Sequence, residues 1–212
     1  MAFLDKRGLI AQMSRLPLVI LELGCGARKR SPNYIGVDAL DYECVDVVGD
    51  AREVLEALPE DSVDEIVAYH FLEHVFDLKS LLLEIDRVLK PGGRLRAVAP
   101  HFSNPYYYSD FTHRTFFGLY SLSYFADDPF FKRRVPRYQM PSSLRLLSVT
   151  LNFKSSPPFY VRHGIKRLVG AVVNVSRYTQ EIYEECFCWA FPCYEVTYLA
   201  EKVRLPERRE GT

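Results

Sequence analysis

The sequence predicts a doubly wound α/β fold, a mostly parallel sheet with helices on both faces. Two patterns carry this reading. Apolar runs of strand length alternate with stretches of helical periodicity from residue 16 to residue 100, and the first run ends in Gly24-Cys25-Gly26. Such alternation implies crossover connections between parallel strands. The size agrees: 212 residues with 48% hydrophobic and 25% charged side chains suit one domain with a full core, residues 1–212.

The elements follow in order. Residues 16–23 form an apolar run that suits a strand buried on both faces. Residues 33–38 (NYIGVD) and 44–50 (CVDVVGD) read as a second and third strand. The segment REVLEALPE reads as an amphipathic helix stopped by Pro59. Residues 63–69 form a fourth strand. Leucine, isoleucine and valine at 78, 81, 82, 85, 88 and 89 fall three and four apart, one stripe on one helix face. Lys90-Pro91-Gly92-Gly93 stops that helix, and residues 94–99 form a fifth strand. After Pro100 an aromatic and polar segment leads to a helix expected at 115–125. A sixth strand is expected at 143–153, helices at 162–176 and 178–190, and a seventh strand at 194–203. The final PERREGT is expected to fray.

Charge excludes one class of function. Lys+Arg and Asp+Glu both number 27, so the chain is neutral overall and not a simple coat for nucleic acid. The charge is uneven, however: residues 101–180 hold 11 basic and 3 acidic side chains, so that half can attract anions. Five cysteines without framework spacing suit reduced thiols in a cytoplasmic setting. Neither a secretory signal nor a membrane-spanning run is present in the sequence given.

The sharpest signal is Glu22-Leu23-Gly24-Cys25-Gly26 at the end of the first strand. Glycine allows a tight turn and close approach of a ligand to the backbone. Asp38 ends the second strand 14 residues after Gly24, and Asp50 ends the third. Loops at the carboxyl ends of neighbouring parallel strands line one crevice. An adenosine across it would place its ribose hydroxyls on Asp38 and its adenine amino group near Asp50. A dinucleotide fits less well. Lys29 stands where G-x-G-x-x-G requires its third glycine, and Glu22 would repel a diphosphate. A carboxylate there favours an ammonium group, which disfavours a nicotinamide oxidoreductase.

In order, LELGCGARK, GVDA, VVGDARE and EIDRVLKPGGRL resemble the motifs of class I S-adenosylmethionine-dependent methyltransferases, most of all those with small-molecule, lipid or sugar acceptors. The resemblance is close over about residues 18–100 and weaker beyond. It implies a Rossmann-like methyltransferase fold whose seven-stranded sheet has an antiparallel last strand. The cofactor-binding half would be about 16–100 and the acceptor-binding or lid half about 101–212. It also implies that Glu22, Gly24, Cys25 and Gly26 hold the methionine end of S-adenosylmethionine. Asp38 and Ala39 would hold the ribose, Asp50 and Ala51 the adenine, and His70 would lie near the sulfonium. The activity implied is methyl transfer to oxygen or nitrogen of a small-molecule, lipid- or sugar-linked acceptor, an anionic one included. A catalytically silent subunit that binds the cofactor as a regulator or partner is the alternative.

Methyl transfer needs donor and acceptor in line, and a hydroxyl acceptor also needs a base. After the fifth strand, His101, Asp110 and His113 are candidates, with Asp110 orienting His113. The other reading makes DFTHRTFF an entry to a helix, capped by Thr112 or Asp110, with Phe116 and Phe117 in the core. His70-Phe-Leu-Glu73-His74 matches the letters of a zinc motif, but that chemistry needs a regular helix and a further ligand. No metal is expected; His70 would face the cofactor while Glu73 and His74 make loop or capping hydrogen bonds. Lys132, Arg133, Arg134 and Arg137, with Arg162, His163, Lys166 and Arg167 before LVGAVVNV, could meet an anionic membrane surface or a phosphate-bearing acceptor. They also suit a subunit contact, a lid helix or a solvated rim.

Overall fold

A computed structural model describes residues 3–136, 138 and 142–204; Arg137 and the terminal PERREGT lie outside them. Among the described residues the apolar runs pair into one sheet of eight strands. These are β1 (Leu4–Asp5), β2 (Ile20–Leu23), β3 (Ile35–Asp38), β4 (Val47–Val48), β5 (Val63–Tyr69), β6 (Leu89–Pro100), β7 (Leu144–Asn152) and β8 (Glu195–Lys202). Their order across the sheet is β1-β4-β3-β2-β5-β6-β8-β7. β4, β3, β2, β5 and β6 run parallel, and β8 runs antiparallel to β6 and β7. The expected seven strands and the reversed last strand are therefore all present. The eighth, β1, is a two-residue edge antiparallel to β4, too short to leave a periodic trace in the sequence.

The helices are α1 (Leu9–Gln12), α2 (Ala51–Glu56), α3 (Leu78–Val88), α4 (Tyr160–Val173) and α5 (Arg177–Ile182). α3 carries the predicted stripe, and Leu78, Leu81, Leu82 and Ile85 are buried. Its N-cap Asp77 accepts the Ser80 amide, which satisfies one of the unpaired first-turn N–H groups. Lys90-Pro91-Gly92-Gly93 does end the helix, but not as a separate turn. It forms an irregularity inside β6, where the register against β5 jumps from Val63↔Leu89 to Glu65↔Arg94.

Two expectations fail locally. The helix expected at 115–125 is only a 3-10 turn at Ser121–Tyr124. Fully buried Phe117 instead forms a parallel bridge with His101, while Phe116 is exposed. The helix expected at 178–190 stops at Ile182 and continues as a π turn over Tyr183–Phe187.

One sheet face is continuous core. Leu21 pairs with Ile35 and Ile66, Ile66 with Leu95, Leu95 with Ala200, and Ala200 with Leu146. These residues form one buried cluster with Val54 and Leu55 of α2, the α3 stripe, Val173 of α4 and Tyr183. Side chains alternate along a strand, so the opposite face carries Glu22, Gly36, Glu65, Arg94, Arg96 and Glu201. It is charge-paired: Arg96 meets Glu65 at 3.2 Å and Arg94 meets Glu201 at 3.6 Å.

Helical cover is uneven on that second face. No helix joins β2 to β3 or β3 to β4 among the described residues. Lys29 explains the first gap. Its ammonium donates to Asp46 Oδ2 at 2.6 Å and to the Tyr34 carbonyl at 2.9 Å. Its stem lies over Gly36, where an added Cβ would meet Lys29 Cδ and Cys25 Sγ, each at 2.8 Å. Asp46 is fully buried, so the chain after the glycine turn is anchored by a buried ion pair.

Candidate active site

The chain winds outward from β2 through β3 to β4, then returns to β5 on the other side of β2. The crevice at such a reversal is where open α/β sheets hold ligands. Two adjoining hollows lie there and share Gly24. The larger, about 770 Å³, is lined by Asp38, Ala39, Asp50, Ala51, Phe71 and His74, among others. The second, about 540 Å³, is lined by Glu22, Gly24, Cys25, Arg28, Lys29, Arg30 and Tyr69. Three predicted strand ends thus meet in one cleft, with the adenosine candidates in one compartment and the methionine candidates in the other.

Local geometry shows how each is held. Gly24 has φ +66°, and an added Cβ would lie 2.5 Å from the Phe71 ring, so both conformation and space require glycine. Asp38 Oδ2 accepts the Gly26 amide at 2.7 Å and Oδ1 accepts the Leu40 amide at 2.9 Å. The carboxylate is thereby fixed across the mouth of the glycine turn. Asp50 is the N-cap of α2 rather than the end of a strand. Its Oδ1 accepts from the amides of Arg52 and Glu53 at 2.9 and 3.3 Å, which leaves Oδ2 with no partner among the described residues.

Glu22 is buried, and its Oε2 accepts the Arg30 amide at 2.8 Å. Burial pushes its carboxyl above the usual range, against the pull of the Arg30 amide and of the Arg30 and Lys29 charges. Arg30 also lies 4.0 Å over the Tyr69 ring. The compartment therefore offers a carboxylate beside guanidinium groups, which matches a zwitterionic amino-acid tail. Arg28 and Arg30 were not singled out from the sequence; the signal available was their place directly after the glycine turn. Cys25 is buried, and burial, then Asp38, pushes its thiol up to about 12.

His70 lines neither compartment. It sits at φ +49° between two carboxylates, Glu195 at 3.2 Å from Nε2 and Glu73 at 3.3 Å from Nδ1. The Glu195 contact, then Glu73, raises its pKa to about 9, so it carries charge at neutral pH. Glu73 and His74 make the expected loop contacts in part. The Glu73 carbonyl accepts the Arg114 amide at 2.7 Å, and His74 Nδ1 lies 2.8 Å from Thr112 Oγ1. His74 borders the larger compartment, a position that local sequence could not reveal because Thr112 is 38 residues away.

The three candidates beyond β6 separate. His101 is fully buried, with Nδ1 2.8 Å from Ser103 Oγ and Nε2 3.1 Å from Glu184 Oε2. Both nitrogens are committed inside the fold, so this ring is not placed to touch an acceptor. His113 instead packs beside His74, ring centroids 4.8 Å apart, with Asp110 Oδ2 3.6 Å from its Nε2. Asp110 accepts the Thr112 amide and hydroxyl on Oδ1, and these bonds hold its carboxyl below the usual range. Thr112 and Asp110 thus shape a turn, as the alternative reading had it, although no α-helix follows.

Residues 21–97 match a family model described as a methyltransferase domain. Solved structures of the same fold include a SAM dependent methyltransferase from Archaeoglobus fulgidus, 17% identical, covering 92% of this chain and 93% of that one, TM-score 0.54. A second is a phosphoethanolamine N-methyltransferase 2 from Haemonchus contortus in complex with S-adenosyl-L-methionine. It is 15% identical, covering 93% of this chain and 53% of that one, TM-score 0.53. No protein of curated function matches the chain. Fold, cleft and matched domain define a methyltransferase enzyme. The architecture is that of the class I S-adenosylmethionine-dependent methyltransferases.

Proposed function

We propose that this methyltransferase acts on an oxygen or nitrogen of a lipid- or sugar-linked acceptor, reached from a membrane surface. In this reading Asp38 and Ala39 hold the ribose, Asp50 and Ala51 the adenine, and Glu22, Gly24, Cys25 and Gly26 the methionine end. His113 and Asp110, beside His74, form the titratable row that takes a proton from the acceptor. His70 acts through the charge it places at the end of β5. Residues 101–204 supply the acceptor side. Five free cysteines suit a reducing compartment.

The observation that carries the acceptor class is α4. Val161, Ile165, Leu168 and Val172 on the helix, and Val175 just past its end, recur at spacings of four and three and are all between 51% and 80% exposed. An apolar groove of about 400 Å³ lined by Leu168, Val172, Ile182, Phe187 and Phe191 adjoins them, and Trp189 is exposed nearby in sequence. Arg162 and Arg167 flank the stripe and are exposed. An apolar face with aromatic and basic flanks is the chemistry of a helix lying on anionic lipid. Among the described residues no helix is long and apolar enough to cross a membrane, so the contact is peripheral.

Calorimetry tests the cofactor assignment. Asp38→Ala removes a charged acceptor of two hydrogen bonds and should weaken S-adenosylmethionine binding by about a hundredfold or more. Unchanged affinity in a folded variant refutes the ribose role.

A further inference from the structure

The loop after β5 meets the segment after β6 beside the cleft, and three donor groups converge there. One ligand atom each from Glu73, His74 and His113 lies within 4.8 Å of the others. The sequence motif pairs His74 with His70, but the fold sends His70 to Glu195 and brings His113 in its place.

Hydrogen bonds fix both rings in the same tautomer. The Thr112 hydroxyl donates to Asp110 Oδ1 at 2.5 Å, so its oxygen accepts from His74, whose Nδ1 carries the proton. His113 Nδ1 lies 2.9 Å from the Tyr107 carbonyl, which can only accept. Each Nδ1 is thus a donor, which in the neutral imidazole tautomer leaves the lone pair on Nε2. An imidazole whose far N–H is held by an oxygen is the usual support of a metal-ligating histidine.

Glu73 supplies the independent observation. It is fully buried, and neither carboxylate oxygen has a hydrogen-bond partner among the described residues. His70 Nδ1 approaches Oε1 at 3.3 Å without hydrogen-bond geometry, and Oε2 has no such contact. Charged His70 offsets Glu73 from the Oε1 side, while the buried Oε2 keeps no partner among the described residues, a cost that a second cation would relieve. Asp110 Oδ2, 3.6 Å from His113 Nε2, sets a further oxygen beside a lone pair, a pair of atoms that one cation could bridge.

We infer that Glu73, His74 and His113 form a site for one divalent transition ion of the zinc type. Two imidazoles and a carboxylate favour such an ion over magnesium, which prefers oxygen ligands. Donors about 2.1 Å from one ion at the tetrahedral angle lie about 3.4 Å apart, so a closure of up to about 1.4 Å completes the set. The remaining positions fall to water or an acceptor oxygen. A ring bound to the ion through Nε2 cannot also act as a base there, so the two states exclude each other. The inference does not rest on the methyl-transfer reading.

The test strips the protein with a chelator and titrates it with Co²⁺, followed by visible absorption, with Zn²⁺ as competitor. The expected result is one Co²⁺ per chain with a ligand-field spectrum free of thiolate charge transfer, displaced by Zn²⁺ and not by Mg²⁺. His74→Gln with His113→Gln should abolish binding, and Thr112→Val should weaken it about tenfold. The unmutated protein provides a check that needs no variant. Bound Co²⁺ should shift the ring nitrogen resonances of His74 and His113 most strongly and those of His101 and His163 far less. Absence of stoichiometric binding, a thiolate signature, or the largest shifts at His101 or His163 overturns the site.

Discussion

His70 is held by two acids in a left-handed backbone conformation, and its charge is the reason the pair of acids can sit there. Its pKa is raised from 6.5 to about 9, first by Glu195 and then by Glu73. A folded value above the unfolded one means that the contribution is complete below about pH 6.5 and is lost as pH rises through about 9. Melting temperature should therefore fall between pH 7 and 9.5. Glu195→Gln should flatten that fall, because the larger of the two contacts is gone. A wild-type profile flat across this range would refute the ion pair. Asp38 shows a different economy: one short side chain closes the glycine turn through two amides and borders the cleft.

Among the elements, α2 is six residues long, too short to persist alone in water. Its Asp50 cap and the burial of Ala51, Val54 and Leu55 hold it. Removing the cap by Asp50→Ala should cost about 1 kcal/mol of stability, while Asp50→Asn should cost little, since asparagine caps as well. On the proposed adenine role of Asp50, cofactor affinity should fall in both variants, because neither presents a carboxylate there. Denaturant melts and calorimetry on the same two proteins separate capping from binding, and equal stability loss in both would show that the cap is not the source. The link from β2 to β3 gives the complementary lesson. Helical periodicity is absent from residues 24–34, yet the second-face packing survives because Lys29 spans it and pairs with Asp46.

Across the whole molecule, two surfaces differ in how they satisfy solvent. The charge-paired face of the sheet neutralises itself through Arg96–Glu65 and Arg94–Glu201. The exposed stripe of α4 has no such cover among the described residues. Vesicles of phosphatidylglycerol should bind the protein and those of phosphatidylcholine much less, by about 1 kcal/mol for each arginine at the surface. Leu168→Glu should reduce binding to the anionic vesicles by tenfold or more, since burying a leucine is worth about 1.5–3 kcal/mol. Equal sedimentation with both lipids, or a light-scattering mass of a dimer that Leu168→Glu converts to monomer, would assign the stripe to another occupant.

The strands, the α3 stripe, the glycine turn and the acids at Asp38 and Asp50 were legible in the sequence because each is written in local spacing. Alternation, periodicity and turn chemistry act over a few residues, and the rule that strand ends share a crevice then brought those acids together. What only the tertiary structure decided depends on partners far apart in the chain. His101 is spent on Glu184, 83 residues away, His70 on Glu195, 125 residues away, and His74 stands beside His113. A histidine's role is set by what meets its two nitrogens. In this chain those neighbours come from other strands and loops, which sequence spacing does not encode.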